Sequence, residues 1–195
     1  MNRRIFCCAL VLLSTAYGME AAAGGPEAFV KAKQEELVQV LRQGDGPAVD
    51  KQLEAIFNTM LDYDALARLS LDKHWDPLSD KERAEFTDVL RRLVQRAYKK
   101  NIKKTLNYEV TYKGEAQANK GHLVRTVARN KQKPREEPVS VDYVLHQVSG
   151  NWRIFDVVTE GSSMVQNYRN QFSRIIKKKG FGELLRKMRE KSEQD

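Results

Sequence analysis

An α+β fold, with helices first, a four-stranded antiparallel sheet next and helices last, is predicted by three features of this 195-residue chain. Apolar residues recur at helical spacing up to about Lys104, switch to alternation between Leu106 and Val158, and return to helical spacing after Gly161. The strand-like runs are consecutive and joined by turn-like links, which implies a meander. A long helix faces the twisted sheet, and a sheet of this kind is able to cup a cavity instead of closing over a solid core.

The chain opens on Arg3-Arg4, then the apolar run Ile5–Leu13, then small residues ending in Ala21-Ala22-Ala23. A positive n-region, an h-region too short to span a bilayer and an A-x-A site read as a secretory signal, residues 1–23, with cleavage after Gly18 as the competitor. Both cysteines, Cys7 and Cys8, fall inside that segment, without the small residues and long preceding apolar run of a lipoprotein signal. The mature chain, 24–195, is therefore expected to carry no disulfide, thiol nucleophile or cysteine metal site. No later run reaches the roughly 18 apolar residues of a membrane span. The formal charge of +8 favours anionic partners, nucleic acid or phospholipid headgroups, and export favours the second.

Pro26 suits the first turn of a helix running to Arg42, with Phe29, Ala32, Leu37, Val40 and Leu41 as a partial stripe. Gly44-Asp45-Gly46-Pro47 makes a turn. A second helix from about Ala48 puts Leu53, Ile56, Phe57, Met60 and Leu61 on one face, and Tyr63–His74 reads as a third. Ser79 with Glu82 forms a capping box for the longest helix, which runs to about Lys104. Its apolar stripe is Phe86, Val89, Leu90, Leu93, Val94, Ala97 and Ile102, joined by Tyr98, and Arg83, Arg91, Arg92, Arg96, Lys99, Lys100, Lys103 and Lys104 crowd its other faces. The strand candidates are Leu106–Tyr112, 123–129, 139–145 and 152–158. Beyond Gly161, Met164, Val165, Tyr168, Phe172, Ile175 and Ile176 mark a helix, and Phe181–Lys191 a last short one. The helical part is thus 26–104 with 162–192, and the sheet part 106–160.

Catalytic candidates are few. His74, His122 and His146 are the three histidines, none with a neighbour at metal-ligand spacing, although His122 and His146 suit a cross-strand pair. Gly161-Ser162-Ser163 reads as a helix N-cap before it reads as a nucleophile turn. Asp156 shares, by alternation, the face of Trp152, Ile154 and Val158, and a carboxylate there needs a partner: a backbone end, an arginine or a ligand mouth. Arg169 either forks onto a phosphate or pairs with Asp156 or Glu160. Lys177-Lys178-Lys179 and the basic residues of the last helix form a solvated face or a contact with anionic lipid.

The ordered set Tyr143, Trp152, Asp156, Glu160-Gly161, Ser163, Tyr168-Arg169 and Phe172 resembles the MlaC (toluene-tolerance, Ttg2) family. So do Asp64, Leu66-Ala67-Arg68 and Trp75, then Leu78-Ser79, Glu82-Arg83, Phe86 and Tyr98. The resemblance spans about Glu27 to Arg189. Two departures are Asp72, where many relatives have glycine, and Ser162, where they have valine.

The resemblance implies an NTF2-like shape with an apolar cavity between sheet and helices, and a periplasmic phospholipid carrier working between the two membranes. It also implies an inner-membrane MCE-domain/ABC transporter complex and an outer-membrane component as partners. No cofactor is implied, and the energy is the transporter's. For such a cavity the inward strand sets offer Tyr108, Val110, Tyr112, Val124, Val141, Tyr143, Leu145, Trp152 and Ile154, and the helices offer Phe86, Leu90, Leu93 and Val94. Arg125, Arg153 and Arg169 are the expected headgroup cations. Two other readings stand beside it: an enzyme on an NTF2-like shell using Asp156 and Tyr143 as acid and base, and a basic module with steeply salt-dependent nucleic-acid binding.

Overall fold

The computed structural model describes residues 24–118 and 120–193; the expected signal, 1–23, lies outside the described residues. Three helices open the chain, α1 (Pro26–Leu41), α2 (Pro47–Met60) and α3 (Tyr63–Leu71). A prolyl residue starts each of the first two, where its missing N–H is no loss. Asp62 caps α3, its Oδ1 accepting from the Ala65 amide at 2.8 Å. The single helix expected over Tyr63–His74 breaks at Leu71 into a 3₁₀ turn, Asp72–His74, because Asp72 enters positive φ (52°).

Helix α4 (Asp80–Ile102) begins in the expected capping box. Ser79 donates its amide to Glu82 Oε2 at 2.9 Å, and Ser79 Oγ accepts from the Glu82 amide at 3.3 Å. A 3₁₀ turn, Lys103–Asn107, follows and takes Leu106 out of the sheet.

The strands β1 (Tyr108–Ala118), β2 (Gly121–Asn130), β3 (Val139–Val148) and β4 (Asn151–Thr159) pair antiparallel in chain order. Ser149 and Gly150, both at positive φ, form the two-residue turn between β3 and β4. At the start of β2, Gly121 (φ 149°) passes so close to β3 that a Cβ there would sit 2.1 Å from the Leu145 carbonyl oxygen. A fifth strand of two residues, β5 (Ser162–Ser163), pairs with Val158 and Thr159 before α5 (Met164–Lys179) begins, and Ser163 is also the expected N-cap of that helix. Helix α6 (Phe181–Glu193) ends the described chain.

A bulge in β4 changes which residues face inward. Val144 pairs with Asp156 but Leu145 pairs with Ile154, so Phe155 has no cross-strand partner and the alternation slips by one. Val157, opposite Tyr143, takes the inward place that simple alternation gives to Asp156. Helices α3, α4, α5 and α6 pack a solid core in which Phe86, Val89, Leu90, Leu66, Leu71 and Leu184 are all but sealed. Phe86 meets Phe172 edge-on at 5.5 Å.

Candidate functional site

Between α1, α2, the end of α4 and the sheet lies a cavity of about 510 Å³. That is within the size range of small-molecule sites, about 300–1,000 Å³. Val30, Leu37 and Val38 of α1, Phe57 and Met60 of α2, Leu61, and Ile154 and Val157 of β4 give it apolar walls. Tyr98, Tyr108, Tyr112 and Tyr143 add rings, and Lys31, Glu35 and Arg42 add charge. Tyr112 ties the α1 roof to the sheet by donating its hydroxyl to Gln34 Oε1 at 2.5 Å. At the roof's start the Glu27 amide donates to Glu115 Oε1 at 2.7 Å.

Burial pushes the Tyr143 phenol up to about 12 and raises Tyr98, Tyr112 and Tyr168 above their ordinary value as well. Burial therefore keeps these four phenols protonated at physiological pH.

Two smaller cavities adjoin this one. One, about 360 Å³, is lined by Val94, Ala97, Tyr98, Ile102, Thr105, Met164 and Tyr168. The other, about 350 Å³, mixes Val157, Met164 and Tyr168 with Thr159, Ser162 and Asn167. A larger groove of about 740 Å³ lies between α2 and α4, but charges of both signs line it. Lys99 bonds Asp50 at 2.5 Å, and Lys103 pairs with Asp45, fastening α2 and its leading loop to α4. Paired charges of that kind suit a surface clasp better than an apolar ligand.

Of the residues singled out in the sequence, Tyr108, Val110, Tyr112, Tyr143 and Ile154 stand on the main cavity, and Val94 on the second. Phe86, Leu90, Val124 and Leu145 are sealed in the core instead, each at 0 % exposure. Leu93 packs on that core, and Val141 is half-buried opposite Thr159. Trp152 donates its indole N–H to the Gly24 carbonyl at 3.1 Å and lies edge-on to His122.

None of the three expected headgroup arginines lines these cavities. Arg125 is exposed on β2. Arg153 Nη1 donates to the Trp152 carbonyl at 3.1 Å. Arg169 forks onto the Leu69 carbonyl at 3.0 and 2.9 Å, closing the last turn of α3. It pairs with neither Asp156 nor Glu160, because a free helix-end carbonyl lies within reach of its fork.

Asp156 is fully engaged. Ser163 Oγ donates to its Oδ2 at 2.5 Å and the Val165 amide to its Oδ1 at 3.0 Å, while Ser163 Oγ caps α5 by accepting from the Gln166 amide at 3.0 Å. The slipped register also sets Val157, and not Asp156, opposite Tyr143. His146 bonds Asp62 at 2.6 Å instead of pairing with His122. No three His, Cys, Asp or Glu side chains among the described residues form a metal site.

The helical stripe legible in α1 includes Leu37 of the roof but passes through Phe29 and Ala32 and leaves out Val30 and Val38, which also line the cavity. Tyr98, which the sequence places on the α4 stripe and in the resemblance, also lines the cavity.

An open antiparallel sheet roofed by helices over an apolar, tyrosine-lined cavity defines a ligand-binding class of protein. The chain belongs to the MlaC protein family, whose pattern matches residues 31–190. No curated protein matches. Among solved structures the chain is similar to a phospholipid-binding protein from Ralstonia solanacearum in complex with a phospholipid. The TM-score is 0.75 and the identity 22 %, over 87 % of this chain and 97 % of that one. At that identity the likeness establishes the fold.

Proposed function

We propose that this protein is a periplasmic phospholipid carrier, made with a signal cleaved after Ala23 and working as one lipid-binding domain from Gly24 onward. The observation that carries the reading is the apolar cavity under α1, in a chain of the MlaC family whose solved structural relative holds a phospholipid. Tyr108, Val110, Tyr112, Tyr143 and Ile154 contact the acyl chains, with Val30, Leu37, Phe57 and Met60 of the roof and flank. Each methylene moved out of water contributes about 0.8 kcal/mol, so the tails alone supply the affinity. The headgroup stays near the mouth, where Lys31 and Arg42 of α1 are exposed cations. Arg125, Arg153 and Arg169 serve the scaffold and surface instead.

The chain receives lipid from one membrane-bound partner and delivers it to another, an inner-membrane MCE-domain/ABC complex and an outer-membrane component being the pair. Docking lowers lipid affinity by loosening the α1 roof. Native mass spectrometry of the mature chain, purified without detergent, checks the reading. One co-purifying phospholipid per chain is expected. A chain that arrives empty and takes no lipid from vesicles refutes it.

A further inference from the structure

Tyr98 lines all three adjoining cavities. Ile102 and Thr105 complete the wall between the first and second, Val157 that between the first and third, and Met164 and Tyr168 that between the second and third. The space therefore branches around one side chain. Packing against Phe57, with ring centroids 5.4 Å apart and planes tilted by 36°, holds that side chain in place. No hydrogen bond from its hydroxyl anchors it among the described residues, so the ring acts by its bulk.

The branches differ in chemistry. The first has largely apolar inner walls, and the second is apolar but for Thr105 and the phenols. The third has Thr159, Ser162 and Asn167, the last donating to Ser162 Oγ at 3.0 Å, and is ill suited to an alkyl chain. Two apolar branches meeting at one ring match a ligand whose two alkyl chains leave neighbouring carbons of one small backbone.

We propose that Tyr98 is a divider: one diacyl lipid straddles it, with an acyl chain in each apolar branch, and the ring thereby limits the protein to two chains. This rests on the lipid-binding reading above. A single-chain lipid fills one branch only and leaves the other's apolar wall uncovered, so it binds more weakly.

The test loads the full mature chain, stripped of lipid, from vesicles containing a diacyl phosphatidylglycerol, its lyso form or four-chain cardiolipin. Bound lipid is then read by native mass spectrometry. Wild type and Tyr98→Phe are expected to hold one diacyl lipid and to prefer it to the lyso form by at least about tenfold. Tyr98→Ala joins the branches: cardiolipin uptake appears and the preference over lyso lipid shrinks several-fold. Tyr98→Leu, which keeps more packing against Phe57, gives an intermediate profile and guards against loss of fold in the smaller variant. If Ala and Leu variants with native circular dichroism keep the wild-type profile, the divider is refuted and the carrier reading stands. The same holds if Tyr98→Phe changes it. A wild-type chain that takes up no lipid at all refutes both.

Discussion

The two halves of helix α4 carry one continuous apolar stripe and meet opposite fates. In the first half Phe86, Val89 and Leu90 are at 0 % exposure, clamped by α3 and α6 and by Phe172 of α5. In the second half Tyr98 and Ile102 look onto open space beneath α1 and beside α5. The stripe does not change; the neighbours do. Helices close on the first half from several sides, whereas the second half faces a curved sheet across half-buried tyrosines. One helix thus anchors a rigid core at one end and walls a cavity at the other. The rigid end lets the cavity remain open without the fold collapsing into it.

Removing one ring from the sealed half of α4 and one from the cavity wall breaks the comparison if the two regions are not distinct. Phe86→Ala is expected to destabilise the protein by about 3–5 kcal/mol, since the pocket left among Phe172, Phe181 and the α3 residues cannot collapse. Lipid bound per folded molecule stays the same. Tyr143→Ala, on the cavity wall, costs about 1–2 kcal/mol, because its ring already borders empty space. Its lipid content, by contrast, changes. Urea unfolding alongside native mass spectrometry checks both halves, and a lipid change in Phe86→Ala without one in Tyr143→Ala would reverse the assignment.

The joint between sheet and α5 is the next place to press. Asp156 binds both Ser163 Oγ and the Val165 amide, so it fastens the start of α5 to β4. Asp156→Ala leaves that amide and hydroxyl without their acceptor and is expected to cost about 2 kcal/mol. If Asp156 were instead a catalytic group, the variant would keep its stability. Thermal unfolding distinguishes the two.

The contrast between halves was not legible in the sequence, and the reason is physical. Periodicity reports which face of an element is buried, not whether the space it faces is filled. Phe86 and Tyr98 therefore looked alike, and Val124 and Leu145 looked like Val110 and Tyr143. Element type and order were legible, because the switch of period at Leu106 and the Ser79–Glu82 capping box are local signals. The bulge at Phe155 was not, since an extra residue in a strand leaves no mark on composition, and it reversed the facing of Asp156 and Val157. Arg169 was misplaced for a similar reason: its acceptor, the Leu69 carbonyl, is backbone 100 residues away.

The smallest expected effect concerns the end of α3, which the structure ties to the rigid region through Arg169. Asp72 sits there with φ 52° and ψ −124°, exposed and just beyond the helix, in a backbone region L side chains seldom occupy. Strain of that kind costs about 1–3 kcal/mol, while glycine relieves it at an entropic cost of about 0.5–1 kcal/mol. Asp72→Gly is therefore expected to stabilise the protein by about 1 kcal/mol or less, read as a small rise in the urea midpoint at constant slope. Because the site lies outside the cavity, bound lipid should not change. A gain in stability accompanied by altered lipid content would show that the rigid end communicates with the open one, and that the two halves of α4 are coupled through α3 instead of acting separately.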